Sequence, residues 1–183
     1  SYSLIRNSIM EKIFGYRAEQ IDMRDEGDFI RPVFVTVECG KYKIKPIKIN
    51  IPKCYFPFGI ETYKAKSILN MSLPKNNDSY NLNANIINLE KVLMKQLFSY
   101  ETFEDWKKLD FLPTTKKGKY GDIILRTHMK GHKYITTNIE PIISWCDLKG
   151  CQGSCEIKAH KIWNTKTQWG IIWVVNEIKL IKK

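Results

Sequence analysis

The sequence lacks any run of about 18 apolar residues, the length a helix needs to cross a bilayer, and it opens without the charged and apolar regions of a secretory leader. Neither membrane insertion nor secretion is implied, so a cytoplasmic or nuclear location is expected. Also missing are Gly-x4-Gly-Lys-Ser/Thr, Gly-x-Ser-x-Gly and His-Glu-x-x-His, the short patterns that cradle phosphates, expose a serine nucleophile or bind catalytic zinc. ATP-driven chemistry is therefore not expected. Disulfide material is poor: Cys39, Cys54, Cys146, Cys151 and Cys155 form an odd set at irregular spacing, which suits a reducing compartment. No internal repeat and no low-complexity tail interrupts the chain.

What is present in excess is positive charge. Lys and Arg number 30 against 19 Asp and Glu, a formal net charge of +11. A field of that sign concentrates polyanions, of which nucleic acid is the commonest. The abundance of Lys, Asn and Ile also fits an AT-rich coding genome, which accounts for part of the lysine count without any functional cause. With 43% hydrophobic residues in 183, the chain can bury a proper core. The expected organisation is a single domain over 1–183, with residues 1–30 as an N-terminal helical extension within it.

Apolar periodicity locates the elements. Leu4, Ile5, Ile9, Met10, Ile13 and Phe14 recur at helical spacing up to Gly15. "RPVFVTVECGKYKIKPIKINIP" alternates with period two on either side of Gly40, a hairpin whose apolar parity shifts near Pro46, as a bulge or bend requires. "PKCYFPFGIETYK" reads as a loop carrying Tyr55, Phe56, Phe58 and Tyr63, which need a pocket or a ligand to cover them. "SILNMSLP" is a third strand and "KNNDSYNLNAN" a mobile polar loop. Ile86, Leu89, Val92, Leu93 and Leu97 mark a helix capped near Asn85, and a short turn around Trp106 follows. Strands then return in "KKGKYGDIILRTHMKGHKYITT", one or two of them joined by a turn at Lys130 and Gly131, in "EPIISWC" and in a closing hairpin, "CEIKAHKIWNTKTQWGIIWVVNEIKLI". In its last strand Ile172, Val174, Ile178 and Leu180 share one face, leaving Trp173 on the other in a second small core.

This order predicts a mainly β chain with helices (α+β): a five-stranded Greek-key barrel of the oligonucleotide-binding type, with a helix between its third and fourth strands. The rival architecture is a generic α+β sheet with helices on one face. In "VFVTVECGKYKIKPIKINI", "NIINLEKVLMKQL" and "CEIKAHKIW…WGIIWVVNEIKLI" the chain resembles the replication single-stranded DNA-binding proteins of large cytoplasmic DNA viruses, the poxvirus and asfarvirus type, and more loosely those of phages. The pattern covers about Arg31 to Ile181. The resemblance implies a fold that coats single strands without base specificity and has neither catalytic site nor cofactor. Its partners would be single-stranded DNA, or RNA as the alternative, the replication machinery, and further copies along the DNA. Many such proteins end in an acidic tail; this sequence ends in "IKLIKK", so either that tail lies outside it or partners are recruited otherwise.

Single-strand binding needs a basic track for phosphates and aromatic faces for bases. Lys116, Lys117, Lys119, Arg126, Lys130 and Lys133 bracket Tyr120 and Tyr134, while Lys158 and Lys161 bracket His160 beside Trp163. Trp163 and Trp169 flank the polar turn "NTKTQ" with Lys166, a position at a loop rim, and Phe56 and Phe58 complete the aromatic set. The plainer reading is that Trp and Tyr are good strand formers and that lysines on the opposite pleat are merely solvated.

Two chemical alternatives remain. Cys146, Cys151, Cys155 and His160 suffice in number for tetrahedral zinc, but no pair has knuckle spacing, and Cys155 and His160 fall on opposite faces of a strand, so no metal is expected. Glu156-Ile157-Lys158, with Asp122 or Asp147 upstream, has the carboxylate and lysine pattern of some metal-dependent nucleases. Glu177-Ile178-Lys179 repeats it, as chance allows in a lysine-rich chain, and the chain is expected not to be an enzyme.

Overall fold

A computed structural model describes Lys12 and residues 15–130, 135–137 and 148–181. These residues fold as a mostly β protein of twelve strands: β1 (Ile21–Asp25), β2 (Ile30–Glu38), β3 (Lys41–Pro46), β4 (Lys48–Phe56), β5 (Ile60–Tyr63), β6 (Lys66–Leu73), β7 (Asp110–Leu112), β8 (Thr115–Lys117), β9 (Ile123–Met129), β10 (Ile135–Thr137), β11 (Cys151–Asn164) and β12 (Gln168–Ile181). Helix α1 spans Asn77–Leu97, and 3-10 turns cover Ala18–Gln20 and Glu101–Lys108. The chain divides into two compact units, each made of three stretches. Unit 1 comprises Ser1–Lys48, Asn85–Pro113 and Ala159–Ile171; unit 2 comprises Ile49–Ala84, Thr114–Lys158 and Ile172–Lys183.

The pairings of five strands close on themselves. β4 pairs with β6, β6 with β9, β9 with β12, β12 with β11, and β11 returns to β4. The inward residues recur at every second position and all are buried: Leu69, Met71 and Leu73 on β6, and Ile123, Leu125, Thr127 and Met129 on β9, Thr127 being the polar one. Antiparallel register between the two strands places Leu69 opposite Thr127 and Met71 opposite Leu125. The Thr127 hydroxyl is satisfied by donating to the Leu69 carbonyl at 2.7 Å. Along β4 the buried set changes parity, from Ile49 and Ile51 to Cys54 and Phe56, because Pro52 and Lys53 are both exposed and insert an extra residue into the alternation. Trp173 is buried on β12, as are Val174, Ile178 and Leu180.

Unit 1 is built on β1, β2 and β3, paired antiparallel in that order. Its core stacks Tyr16 on Phe34 with centroids 4.2 Å apart and buries Ile86, Leu89, Leu93 and Leu97 of α1. Gln96 of that helix donates to the Ala18 carbonyl at 3.3 Å.

Several expectations need correction. The stretch up to residue 30 is not a helical extension throughout: Ile21–Asp25 is strand β1, held by register with Ile30–Phe34. The helical pattern of Leu4 to Phe14 lies outside the described residues, as does "EPIISWC". Rather than a mobile loop, "NDSYNLNAN" is the first half of α1. Asn76 starts the helix by accepting the Ser79 N–H at 2.8 Å on Oδ1, and Asp78 suits the positive end of the helix dipole. The aromatic loop is instead the end of β4, a turn, and β5. Finally, α1 lies between β6 and β9, the second and third strands of the ring in chain order, not the third and fourth. The β2–β3 hairpin falls outside the ring, so "SILNMSLP" is the second ring strand, and the twelve strands exceed the five expected.

Candidate nucleic-acid interface

The outward residues of the unit 2 sheet are set by the same registers that bury the inward ones. Lys116 on β8 sits opposite Ile124 on β9, which sits opposite Ser72 on β6, which sits opposite Tyr55 on β4. Directly paired residues share a face, so these side chains form one row across four strands. With strands about 4.8 Å apart the row is roughly 14 Å long. A second row pairs Arg126 with Asn70, whose amide donates to Glu61 of β5 at 3.3 Å. The end of the same face carries Tyr63 opposite Lys66. Tyr63 is 61% exposed, and Lys64 places its ammonium 5.3 Å from that ring's centroid. One sheet face thus carries Tyr55, Tyr63, Lys66, Lys116 and Arg126, with Ile124 buried between Lys116 and Ser72.

At the rim of this sheet the β8–β9 turn displays Tyr120, 76% exposed, with the Lys119 ammonium 5.7 Å from its centroid. The turn is held from several sides. Gly118 donates its N–H to the Asp122 carbonyl at 2.7 Å, and Gly121 donates to the Gly118 carbonyl at 3.1 Å from a left-handed backbone, φ 82°. The Asp122 carboxylate accepts the Ser72 hydroxyl at 2.9 Å and packs so close to Gly118 that a Cβ there would meet it at 2.3 Å. Lys75 donates to the Tyr120 carbonyl. An exposed ring on a fixed backbone loses little freedom when a base stacks on it, which favours binding.

The other expected site residues divide between the two units. In unit 2, Lys117, Lys119 and Lys130 are exposed, Lys158 is half-buried on β11, and Phe58 is exposed in the β4–β5 turn. Phe56 is a core residue, 0% exposed, because its parity on β4 is opposite to that of Tyr55. In unit 1, Lys161 is half-buried and Lys166 exposed. Trp163 lies half-buried over Gly170 of the adjacent strand, so near that a Cβ at Gly170 would meet the indole at 2.9 Å. Trp169 does not sit on a rim. It is 1% exposed, enclosed by Phe111, Phe98 and Trp106 with centroids at 4.7, 5.5 and 6.3 Å. Lys133 and Tyr134 lie outside the described residues. Of the four loop aromatics expected to need a pocket or a ligand, Phe56 takes the core, while Tyr55, Phe58 and Tyr63 stay exposed; the parity shift after Pro52 separates Tyr55 from Phe56.

The thiol and carboxylate sets take other places. Cys151 and Cys155 are buried in unit 2, while His160 packs its ring 4.9 Å from Phe29 in unit 1; Cys146 lies outside the described residues. Burial pushes the Cys54 thiol up to about 12 and the Cys155 thiol well above the usual range, so both stay protonated and unreactive at neutral pH. Glu156 accepts the Asn176 amide at 2.6 Å, and Glu177 meets Lys179 at 3.6 Å. Among the described residues no three His, Cys, Asp or Glu side chains cluster as a metal site would require.

No family model matches the chain. No curated protein matches it either. Solved structures do. The fold is similar to that of a single-stranded DNA-binding protein of bacteriophage Enc34, C-terminally truncated, with a TM-score of 0.51 at 15% identity over 91% of this chain and 97% of that one. It is also similar to gp2.5, the single-stranded DNA-binding protein encoded by bacteriophage T7, with a TM-score of 0.50 at 10% identity over 75% and 87% of the two chains. At these identities the similarity establishes a shared fold.

Proposed function

We propose that this chain binds single-stranded DNA without reading base sequence, using the outward face of the unit 2 sheet and its Tyr120 rim, and that it does so in genome replication without catalysis. The observation that carries this is the placement of Tyr55, Tyr63 and Tyr120, all exposed, beside Lys66, Lys116 and Arg126 on one sheet and its edge. Bases stacked on such rings contribute about 1–3 kcal/mol each, and any base offers a flat face. The lysines and the arginine supply the counter-charge for phosphates, with no element aimed at base edges.

Two further observations support the reading. The self-closing set of five strands is read as the oligonucleotide-binding barrel, with α1 moved to the connection between its second and third strands. The proteins sharing this fold include two phage proteins described as binding single-stranded DNA. The sequence resemblance extends the assignment to the replication proteins of large cytoplasmic DNA viruses, acting at a cytoplasmic replication site or in the nucleus.

Fluorescence anisotropy with labelled dT oligomers and matched duplex, titrated at several salt concentrations, tests it. Single strands should bind far tighter than duplex, with affinity falling on the order of 10³-fold between 50 and 200 mM salt if about six phosphates are engaged. Equal affinity for duplex at moderate salt would overturn the proposal. Labelled strands incubated with Mg²⁺ or Mn²⁺ should stay intact; cleavage that disappears in Glu156→Gln would move the assignment to a nuclease.

A further inference from the structure

The β2–β3 hairpin of unit 1 has a construction that its own packing does not require. β1 pairs with β2 only as far as Phe34, so residues 35–38 of β2 and 41–44 of β3 form a two-stranded ribbon. Among the described residues β3 has β2 as its sole strand partner. Its tip is a tight turn with positive φ at both Cys39, 51°, and Gly40, 75°, the geometry that matches the twist of paired strands.

The two faces of this ribbon differ in kind. Val35 opposite Ile44 and Val37 opposite Tyr42 make one face apolar, and Tyr42 is 83% exposed. Lys41, Lys43 and Lys45 occupy the other, opposite Glu38, Thr36 and Phe34. Glu38 holds Lys43 at 3.3 Å and Lys45 at 3.4 Å, which aligns the ammonium groups, and three lysines against one glutamate leave a positive surplus. Val37, Tyr42 and Ile44, all exposed and contiguous beside aligned cations, mark a contact surface.

The chemistry decides among occupants. A second copy pairing antiparallel along the β3 edge would bring one row of lysines against another, the device by which proteins prevent edge association. A single-stranded nucleic acid satisfies both faces, since its bases are flat and apolar and its phosphates are anionic. We infer that the β2–β3 hairpin is a second contact for single-stranded nucleic acid, with a base stacked on Tyr42 and phosphates met by Lys41 and Lys43. This rests on the single-strand reading of the unit 2 face, to which the hairpin adds a further stretch of bound strand.

The test uses the full chain and labelled dT oligomers of two lengths, one about the site size of a single barrel and one about three times longer. Tyr42→Ala should weaken binding of the long oligomer roughly tenfold and leave the short one within about twofold, and Tyr42→Trp should restore it. Lys41→Ala should lower the salt slope on the long oligomer by about one. This variant carries the test if Tyr42→Ala fails to fold. Tyr42→Ala and Lys41→Ala binding both lengths as the parent does would overturn the inference. Equal loss on both lengths would also overturn it, by placing Tyr42 in the first site. Unchanged DNA binding with self-association lost in sedimentation would show an interface between copies instead. A parent protein that binds neither oligomer defeats the unit 2 reading itself, an outcome distinct from failure of the variant contrast.

Discussion

Trp169 and Tyr120 begin in nearly the same local setting, each an aromatic at the end of a short polar turn that carries a lysine, "NTKTQW" in unit 1 and "KGKYGD" in unit 2. They finish at opposite extremes of exposure. Phe98, Trp106 and Phe111, brought by α1's end, the following 3-10 turn and β7, enclose the first ring. Around the second, Lys75 and Asp122 fix the backbone and leave the ring itself outside. The difference teaches that an aromatic beside lysines becomes core or contact surface according to which distant apolar groups reach it. Its sequence neighbours do not decide the outcome.

Substitutions that separate stability from binding break the comparison most sharply. Trp169→Ala removes the centre of the unit 1 cluster and should lower unfolding free energy by about 3–5 kcal/mol, read by urea or thermal denaturation. A Trp169→Ala protein that melts like its parent but binds dT poorly would put the indole in the interface after all. Tyr120→Ala should do the reverse. The melting temperature stays put while dT binding weakens by about 1–3 kcal/mol, and Asp122→Ala, which frees the turn, should reproduce part of that loss with Tyr120 intact. Full dT affinity in both variants would remove the rim from the site.

The smallest effect concerns the turn beside Tyr63. Lys64 and Ala65 both have positive φ, 47° and 61°, a conformation that costs a side-chain-bearing residue about 1 kcal/mol. Ala65→Gly should therefore stabilise unit 2 by roughly 0.5–1 kcal/mol in denaturant titration, with dT binding unchanged. Destabilisation would mean that the chain entropy lost by glycine outweighs the strain relieved.

Charge, the β-rich order and the alternation within strands were legible from composition and period two, because each depends on residues adjacent in sequence. The parity of the second half of β12 followed directly: Ile178 and Leu180 are buried and Lys179 exposed, where alternation puts them. The start of α1 was not legible, since an Asn-rich segment has low helix propensity and becomes helical through the Asn76 cap and the tertiary burial of Ser79. Nor was the exposure of Tyr55 against the burial of Phe56, which turns on a one-residue parity shift at Pro52.

By itself, then, the sequence determined a basic, mainly β chain with aromatics and lysines interleaved on hairpins, since net charge and strand periodicity are properties of local order. Only the tertiary structure decided which of those aromatics face solvent. Burial is a relation between residues far apart in the chain: Trp169 meets Phe98 from a distant segment, whereas Tyr63 and Tyr120 have the adjacent Lys64 and Lys119 over their rings. It also decided which strands close the ring, because the pairing of β11 with β4 depends on a register that no local pattern encodes.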